Sequence, residues 1–390
     1  MNHRPLTILL TGGGSGGHIT PLLSLAQEIK AQQPDCQIIY VGHTGDDFDS
    51  LHARAGNFDF LTFINAGKFR RYHGNRLAAL FDFKTLALNI RDFFRLPSST
   101  ISAYRLMAKF KPDVMFSKGG FVAVPVGIAA RLRGIPIVTH DSDTVPGLAN
   151  RIVGRWAKVH ATGMPAEYYK YKKSTIEYVG IPVDERIVKT TPKIKSEACK
   201  QLGIPDSATV LLLSGGGNGS LRLNQLLLSV AKNLLEANLS LYILHVTGRS
   251  HEQSVKQLYK QKLPKAEQKR VIVQGFTADF YAYTAAADLV VTRAGATTLA
   301  ELAIEGKACL IIPSPFLTGG HQLKNAQQLA EAGAAVIADE NIEPDEFLVV
   351  VNKLLADDHR RFELAKNLYA TAMPDAAAKL ATIIIKSAKK

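Results

Sequence analysis

Two glycine-rich segments hold the residues whose types and spacing are best suited to chemistry. The first runs Thr11-Gly-Gly-Gly-Ser-Gly-Gly-His18, and the second runs Ser214-Gly-Gly-Gly-Asn-Gly-Ser220. Each follows a short apolar run and precedes an amphipathic run, the pattern of a strand, a tight turn and a helix. Backbone N–H groups and the positive end of the helix dipole then converge on one point, which suits phosphate. Because the pattern occurs twice, it predicts two α/β domains that face each other across a cleft.

The first segment also satisfies the dinucleotide fingerprint Gly12-x-Gly14-x-x-Gly17. The acidic residue that binds a ribose is missing further on, where Tyr40-Val-Gly-His43 ends the second predicted strand. In the second segment Ser220 replaces the third glycine. Nicotinamide binding is therefore the weaker interpretation, and a plain tight turn is the alternative for either segment taken alone.

Two residues near predicted strand ends are candidates for proton transfer. His18 stands where a helix dipole disfavours imidazolium and leaves a neutral base, although capping or packing is the alternative role. Asp141 belongs to His140-Asp-Ser-Asp-Thr144 at the end of a predicted strand. Asp143 or Thr144 as a helix cap explains only part of that segment.

Three further segments have polar side chains next to glycine turns. Lys118-Gly-Gly-Phe121 follows a predicted strand. In Arg293-Ala-Gly-Ala-Thr-Thr-Leu-Ala-Glu301 the final carboxylate can bind a ribose diol or complement a helix dipole. The loop of residues 313–325 is too polar for a core, and three of its side chains either contact a ligand or cap the next helix: His321, Gln322 and Asn325.

The charge of the chain is unevenly distributed. Lys and Arg number 47 against 34 Asp and Glu, a formal net charge of +13. Residues 60–111 alone hold ten basic and two acidic side chains, interleaved with aromatic and aliphatic ones. This mixture favours an anionic membrane surface over nucleic acid or a solvated helix face.

Length and composition predict a soluble globular protein. A chain of 390 residues fits two domains, and 46% hydrophobic and 21% charged residues are ordinary values. A strand predicted from residue 6 leaves no room for a signal peptide, and no apolar stretch is long enough to cross a bilayer. The three cysteines, Cys36, Cys199 and Cys309, are expected to be reduced and buried.

Short β-rich runs alternate with helical runs, which predicts parallel sheets covered by helices. Strands are predicted near residues 6–10, 37–41, 113–116, 135–139, 159–161, 176–179, 209–213, 240–246, 270–274, 288–291, 308–312 and 334–337. Helices are predicted at 21–32, 221–237, 297–305 and 322–332, and the domain change near 180–183.

Taken together, these residues resemble the MurG family of glycosyltransferases. The matching motifs occur in order over nearly the whole chain: Thr11-Gly-Gly-Gly-Ser-Gly-Gly-His-Ile-Thr-Pro21, Lys68-Phe-Arg-Arg-Tyr72, Pro112-Asp-Val-Met-Phe-Ser-Lys-Gly-Gly120, the segment ending at Glu301 and Gly320-His-Gln-Leu-Lys-Asn325. This family transfers N-acetylglucosamine from its UDP-sugar to undecaprenyl-pyrophosphoryl-MurNAc-peptide (lipid I), giving lipid II.

The resemblance implies a GT-B fold, two Rossmann-like domains with parallel sheets and the active site between them. It implies an acceptor and membrane-binding domain at 1–178, a UDP-sugar-binding domain at 179–373, and a last helix near 374–390 that packs on the first domain. Transfer would be inverting, with no required metal and no cofactor. The implied partners are UDP-N-acetylglucosamine, lipid I and an anionic membrane, with no nucleic acid. The implied location is peripheral, on the cytoplasmic face of the cell membrane.

Residue roles follow from the resemblance position by position. His18 is similar to the proposed acceptor-activating histidine, with Asp141 nearby. The donor-binding set is Gly215, Gly216, Gly217, Asn218, Phe276, Thr277, Arg293, Glu301, His321, Gln322 and Asn325. Within this set Glu301 would hold the ribose, Gln322 the sugar, and the backbone after Phe276 the uracil. The acceptor-diphosphate set is Gly13, Gly14, Ser15, Gly16, Gly17, Gly119 and Gly120, and the membrane patch is Lys68, Arg70, Arg71, Arg76, Phe81 and Phe83.

The chain departs from the family pattern at three places. Gly217 stands where the family usually has serine, and Asp141-Ser-Asp143 where it has asparagine or glutamine. Asp184 replaces an arginine after the predicted hinge, and Arg186 is the candidate substitute. The alternatives are a UDP-sugar transferase acting on diacylglycerol or another lipid, a nicotinamide-dependent oxidoreductase, and a nucleic-acid binder.

Overall fold

The computed structural model of the protein describes residues 4–13, 16–44, 57–68, 83–315 and 320–388; for residues 16–20, 83, 84 and 86 it describes the backbone alone. The chain divides into two compact units. Unit 1 comprises Met1–Glu185 and Met373–Lys390, and unit 2 comprises Arg186–Ala372. Each unit is a parallel sheet covered by helices, so the predicted α/β fold class is confirmed.

Unit 1 contains a seven-stranded sheet. Its strands are β1 (Thr7–Thr11), β2 (Gln37–His43), β3 (Phe60–Ile64), β4 (Val114–Ser117), β5 (Ile137–Asp141), β6 (Val159–Thr162) and β7 (Ile176–Tyr178). They lie in the order β3-β2-β1-β4-β5-β6-β7, and each neighbouring pair is parallel.

Unit 2 contains a six-stranded sheet. Its strands are β8 (Thr209–Ser214), β9 (Leu241–Val246), β10 (Val271–Gln274), β11 (Leu289–Thr292), β12 (Cys309–Ile311) and β13 (Val336–Ile337). They lie in the order β10-β9-β8-β11-β12-β13, again with parallel neighbours.

Helices cover both faces of each sheet, which explains why the central strands are apolar throughout. In β1, Leu10 packs with Leu25 on one face, whereas Leu9 packs with Met115 on the other. The helices of unit 1 are α1 (Gly16–Gln32), α2 (Phe83–Phe110), α3 (Ala123–Leu132) and α4 (Leu148–Val153). Those of unit 2 are α5 (Pro192–Gln201), α6 (Leu221–Ala237), α7 (Glu252–Lys262), α8 (Lys265–Gln268), α9 (Phe280–Ala286), α10 (Ala296–Glu305), α11 (His321–Glu331), α12 (Pro344–Ala356) and α13 (Asp358–Ala370).

A last helix, α14 (Ala376–Ser387), belongs to unit 1 although it follows unit 2 in sequence. Its Leu380 and Ile384 are buried in the same apolar cluster as Leu25 of α1. The Gln32 side chain donates to the Ala378 carbonyl at 2.9 Å and accepts from the Thr382 hydroxyl at 2.9 Å. The chain therefore crosses from unit 2 back to unit 1 near its end.

The twelve predicted strands are confirmed within a few residues, but β3 was not predicted. This edge strand lies inside the basic segment 60–111, and its residues are mostly half-buried rather than fully buried. Its sequence, Phe60-Leu-Thr-Phe-Ile64, is mostly apolar but was assigned to the basic segment and not to a strand. The predicted helices at 21–32, 221–237, 297–305 and 322–332 are also confirmed.

In both sheets the strand order reverses between two central strands. The reversal lies between β1 and β4 in unit 1 and between β8 and β11 in unit 2. Ligands of open α/β sheets bind at the carboxyl ends of the strands beside such a reversal. Both predicted glycine turns directly follow one of these strands, β1 or β8.

Two smaller predictions concern cysteines and membrane spans. Cys36, Cys199 and Cys309 are free thiols and buried, as expected. Among the helices of the described residues, none combines the length and apolar character needed to span a bilayer.

Candidate functional site

Two glycine turns of unit 1 lie in direct contact at the carboxyl ends of β1 and β4. A Cβ atom on Gly120 would lie 2.4 Å from the Gly13 carbonyl oxygen, so only glycine fits there. Gly119 and Gly120 have φ values of 99° and 81°, in the region that favours glycine. The Lys118 amide donates to the Thr11 carbonyl at 2.9 Å and ties the two turns together.

Some predicted residues of the first turn lie partly or wholly outside the described residues. Gly14 and Ser15 fall outside them. Gly16, Gly17 and His18 form the first turn of α1, of which the backbone is described. The predicted position of His18 at a helix start is therefore confirmed, and its role as a base stays a prediction.

The Asp141 carboxylate, at the end of β5, is buried and held at both oxygens. Its Oδ1 accepts from Asn150 Nδ2 at 3.0 Å, and its Oδ2 accepts from the Tyr171 hydroxyl at 2.9 Å. The Tyr171 ring stacks on His160 with centroids 3.7 Å apart, which fixes the hydroxyl. Burial raises the pKa of Asp141, and the hydrogen bonds from Asn150 and Tyr171 oppose that rise. The carboxylate is a rigid element of this sheet edge.

Lys118 is the cation of the same edge, and its side chain is only 4% exposed. Its Nζ donates to the Ser142 hydroxyl at 2.6 Å. Burial lowers the pKa of Lys118 to about 8, while the negative charges of Asp141 and Asp143 raise it. The sheet edge therefore combines a buried ammonium group, two aspartates and, through the Lys118 backbone, the two contacting glycine turns.

Sequence reasoning missed Lys118, Asn150 and Tyr171 as members of the site. Lys118 had a usable signal, because it stands directly before a glycine pair at a predicted strand end. Asn150 and Tyr171 reach Asp141 only through the fold and had no signal of their own.

The helix-cap interpretation of Asp143 and Thr144 is wrong. The nearest helix, α4, begins at Leu148 with Gly147 as its cap. Pro146 disfavours helical geometry at Val145, the residue before it, which agrees with the later start of α4. The Thr144 hydroxyl is buried and lacks a hydrogen-bond partner within the described part of the chain.

The glycine turn of unit 2, residues 215–220, connects β8 to α6. Gly219 has a φ of 73°, and a Cβ atom there would lie 2.0 Å from the Thr247 carbonyl oxygen. At Gly216 and Gly217, in contrast, an added Cβ would meet no atom of the described residues within 4 Å. Ser220 caps the helix by accepting from the Leu223 amide at 3.4 Å. The turn is thus closed on one side and open on the other, at the positive end of a 17-residue helix.

One neighbouring loop packs against this turn, and a second loop packs against the first. A Cβ on Gly248, after β9, would lie 2.5 Å from the Asn218 carbonyl oxygen. The next residue, Arg249, places its guanidinium 4.1 Å from the centroid of the Phe276 ring, which is 44% exposed. Thr277 follows, with its hydroxyl accepting from the Asp279 amide at 3.1 Å. The fold therefore brings the predicted diphosphate turn and the predicted uracil turn together.

Arg293, after β11, is buried and bonded to protein groups. Its guanidinium forms a two-pronged ion pair with the Glu340 carboxylate. It also donates to the Ile312 carbonyl at 3.0 Å and to the Ser220 hydroxyl at 2.8 Å. Arg293 is therefore joined to the glycine turn through Ser220.

The remaining predicted donor residues lie on α10 and α11. Gln322 Oε1 accepts from the Ser314 amide at 2.9 Å, and Asn325 Nδ2 donates to the Ala294 carbonyl at 3.1 Å. Both side chains are nearly fully buried and fix the start of α11 to the loops after β11 and β12. Glu301, in α10, and His321, at the start of α11, are partly exposed.

The predicted membrane patch is described only in part. Lys68 is exposed, and Phe83 is the first residue of α2. The other four members lie outside the described residues: Arg70, Arg71, Arg76 and Phe81. Within the described ranges, no cluster of three or more His, Cys, Asp and Glu side chains is arranged to hold a metal ion.

Two family models match the chain, one in each half. The glycosyltransferase family 28 N-terminal domain matches residues 8–162, and the family 28 C-terminal domain matches residues 210–380. Both glycine turns fall within the matched ranges.

Curated relatives match over nearly their whole length. The proteins of Desulforudis audaxviator and Halothermothrix orenii are each 33% identical to this chain, over 388 and 389 residues. The alignments cover 99% and 98% of this chain and 99% and 100% of those relatives. Each is named UDP-N-acetylglucosamine–N-acetylmuramyl-(pentapeptide) pyrophosphoryl-undecaprenol N-acetylglucosamine transferase.

Solved structures share the fold. MurG of Acinetobacter baumannii superposes with a TM-score of 0.70 at 24% identity, covering 98% of this chain and 100% of that one. Anabaena Alr3699/HepE in complex with UDP and glucose superposes with a TM-score of 0.62 at 17% identity, with 98% and 100% covered. The GT-B architecture is therefore confirmed for this chain.

Proposed function

The chain belongs to the MurG family of glycosyltransferases, and we propose that it transfers N-acetylglucosamine from UDP-N-acetylglucosamine to lipid I. The acceptor group is the 4-hydroxyl of the muramoyl sugar in undecaprenyl-pyrophosphoryl-MurNAc-peptide, and the product is lipid II. The observation that carries this proposal is the pair of glycine turns, each at a strand-order reversal of its own sheet.

We assign the donor to unit 2. The open side of residues 215–218 offers backbone amides and a helix N-terminus to the diphosphate of UDP. The half-exposed Phe276 ring and the Thr277 backbone are assigned to uracil, and Glu301 to the ribose diol. His321, Gln322 and Asn325, at the start of α11, are assigned to the sugar.

Arg186 supports the donor assignment and stands two residues beyond Asp184, which occupies the position where the family commonly has an arginine. It is the first residue of unit 2, and its guanidinium lies 4.6 Å from the Tyr281 ring centroid and 3.9 Å from Asp279. Because Asp279 also bonds to Thr277, this arginine is two contacts away from the proposed uracil turn. Arg186 is therefore the candidate to supply the positive charge of the arginine that Asp184 replaces.

We assign the acceptor to unit 1. The contacting glycine turns of residues 13–17 and 119–120 are assigned to its diphosphate. Lys118, the residue directly before the second turn, supplies a positive charge at this sheet edge, and the carboxylate of Asp141 is already oriented by Asn150 and Tyr171. A carboxylate held at both oxygens in this way suits the positioning of a hydroxyl for attack.

The proposed chemistry is a single displacement. His18 removes the proton from the acceptor hydroxyl, whose oxygen attacks the anomeric carbon of N-acetylglucosamine. The bond from that carbon to the diphosphate breaks, UDP departs, and the configuration at the carbon inverts. Amides and the dipole at residues 215–218 stabilise the negative charge that develops on the leaving diphosphate.

We further propose that unit 1 binds the cytoplasmic face of the cell membrane. Helix α2 exposes Ile90, Phe93 and Phe94, which are 51%, 59% and 72% exposed. Arg91 and Arg95 stand beside them and share the buried Asp92 as a partner. Exposed aromatic rings suit the headgroup boundary, and each arginine or lysine near an anionic surface contributes about 1 kcal/mol. The patch would continue into Lys68, Arg70, Arg71, Arg76, Phe81 and Phe83.

The test is a transfer reaction with labelled UDP-N-acetylglucosamine and a soluble lipid I analogue. The proposal expects the label in the disaccharide product and free UDP in equal amount. Transfer to diacylglycerol but not to the lipid I analogue would assign the chain to a different lipid acceptor. Calorimetry with UDP and NAD is the companion measurement, and binding of NAD without UDP would contradict the donor assignment.

A further inference from the structure

Arg293 of unit 2 is a buried cation whose guanidinium donates hydrogen bonds to other groups of the protein. The residue is 9% exposed, and its guanidinium reaches the Glu340 carboxylate, the Ile312 carbonyl and the Ser220 hydroxyl. Glu340 is equally buried, at 9% exposure. Burying such a pair costs desolvation of both ions, so the pair is weak evidence for stability alone.

The two residues join segments that are far apart in sequence. Arg293 follows β11, Glu340 follows β13, and Ser220 ends the glycine turn after β8. Arg222, two residues beyond Ser220, donates to the Glu340 and Ile342 carbonyls at 3.1 and 2.7 Å. The 340–342 segment is thus joined to the start of α6 in two ways: directly through Arg222, and through Arg293 to Ser220.

Ser220 is the point at which this arrangement reaches the turn. Its hydroxyl accepts from Arg293 and also caps α6 through the Leu223 amide. The turn has little freedom beside it, since a Cβ on Gly215 would lie 2.4 Å from the Ser220 amide nitrogen. A shift of Ser220 would therefore move the backbone amides of residues 215–218.

We propose that Arg293 and Glu340 are positioning residues that hold the 215–220 turn, through Ser220, in the geometry that binds the UDP diphosphate. The proposal rests on the proposed function in taking this turn as the diphosphate site. It assigns Arg293 no contact with the nucleotide, because its guanidinium is occupied by the partners just described.

The substitution Glu340→Gln separates positioning from direct contact by the sign of its effect. If Arg293 contacted the diphosphate, removing a neighbouring carboxylate would free its charge and strengthen UDP binding. If the pair positions the turn, the weaker neutral bond would loosen Ser220, and UDP binding should weaken by about tenfold. Arg293→Lys, which keeps the charge but loses the fork, should weaken binding comparably.

The experiment is calorimetric titration with UDP, followed by steady-state kinetics on the full chain. Glu340→Gln is expected to raise the Kd for UDP and the KM for UDP-N-acetylglucosamine together, with the KM for the acceptor analogue unchanged. Combining it with Ser220→Ala should add little, because both changes act through one hydroxyl. Unchanged or tighter UDP binding in Glu340→Gln, or full additivity with Ser220→Ala, would overturn the proposal.

A matched control separates positioning from a general loss of stability. Asp288, at the amino-terminal edge of the same sheet, pairs with Lys195 and accepts from the Val210 amide at 2.9 Å. Asp288→Asn should lower the melting temperature without changing the KM for the donor. If Glu340→Gln fails to fold, Glu340→Asp serves instead, because positioning predicts weaker UDP binding there and direct contact predicts no change.

The UDP-binding results also show whether the positioning proposal or the proposed function has failed. A wild-type chain that does not bind UDP would overturn both. A wild-type chain that binds UDP, together with a Glu340→Gln variant that binds it equally well, would overturn the positioning pair alone.

Discussion

The glycine turns of the two units occupy the same position in their sheets but lie among different neighbours. The turn after β1 packs against a second glycine turn and lies near Lys118, a buried cation close to Asp141 and Asp143. The turn after β8 is fixed through Ser220 to Arg293, whose charge is balanced by Glu340. The difference shows that the same glycine pattern is held in place by different neighbours: a second glycine turn in unit 1 and a buried ion pair in unit 2.

The largest expected effect concerns the first residue after each turn. His18 follows the glycine turn of unit 1, and the equivalent position in unit 2 holds Leu221, which is 57% exposed. His18→Ala should lower kcat by about a hundredfold to ten-thousandfold with little change in UDP affinity, because a general base is lost. Leu221→Ala should leave kcat near the wild-type value. Equal losses of kcat and UDP affinity in His18→Ala would contradict the base role.

The closed and open sides of the unit 2 turn allow a second test. Gly219→Ala places a Cβ against the Thr247 carbonyl in a backbone conformation that costs about 1–2 kcal/mol for other residues. UDP should therefore bind at least about tenfold more weakly, as measured by calorimetry.

Gly217→Ser is the matched variant, because that position is open within the described part of the structure. It should change the Kd for UDP less than about twofold. This variant also tests whether the serine that the family usually has at this position can be accommodated. A strong loss of UDP binding at Gly217 with none at Gly219 would reverse the assignment of the two sides.

The unit 1 turn is expected to respond to pH through Lys118. Burial lowers its pKa to about 8, so its charge is lost as pH rises through that value. The KM for the acceptor analogue should rise over the same range, and Lys118→Met should raise it by about tenfold at neutral pH, as expected when a charged hydrogen-bond partner is removed. The KM for the donor should stay unchanged over this pH range and in Lys118→Met. Lys170→Met, which removes the same charge from an exposed position of unit 1, is the control.

The same pKa shift has a consequence for stability with a definite sign. Unfolded Lys118 regains an ordinary pKa near 10.5, above the folded value of about 8. The unfolded chain therefore binds more protons in this window, and the free energy of unfolding contributed by this group rises with pH. Urea unfolding on either side of pH 8 should show this rise in the wild type and lose it in Lys118→Met. An identical pH dependence in both proteins would contradict the burial of a charged amine.

The smallest expected effect concerns the membrane binding that we propose for unit 1. Replacing Phe93 and Phe94 by serine should lower sedimentation with anionic liposomes several-fold without changing UDP binding. Phe362 of unit 2 is 65% exposed and provides the matched control as Phe362→Ser. Equal sedimentation of the wild type and both variants, or an equal loss in Phe362→Ser, would contradict the assignment of α2 to the membrane-binding surface.

The sequence predicted what depends on neighbouring residues and missed what depends on distant ones. Strands such as β1 and β8 were recognisable because they are buried on both faces and therefore continuously apolar. Arg293 was predicted as a donor-site residue, but its partner Glu340 is 47 positions away and left no local trace. Likewise, the contacts of Asp141 with Asn150 and Tyr171 require the register of β5 and the path of the chain after β6.

Hydrogen exchange with and without UDP tests most directly that the two turns serve different ligands. The account predicts that UDP slows exchange at the amides of residues 215–220 and 276–277, while residues 12–18 and 118–121 exchange as in the free protein. Protection of the unit 1 turns by UDP, with none at residues 215–220, would contradict it.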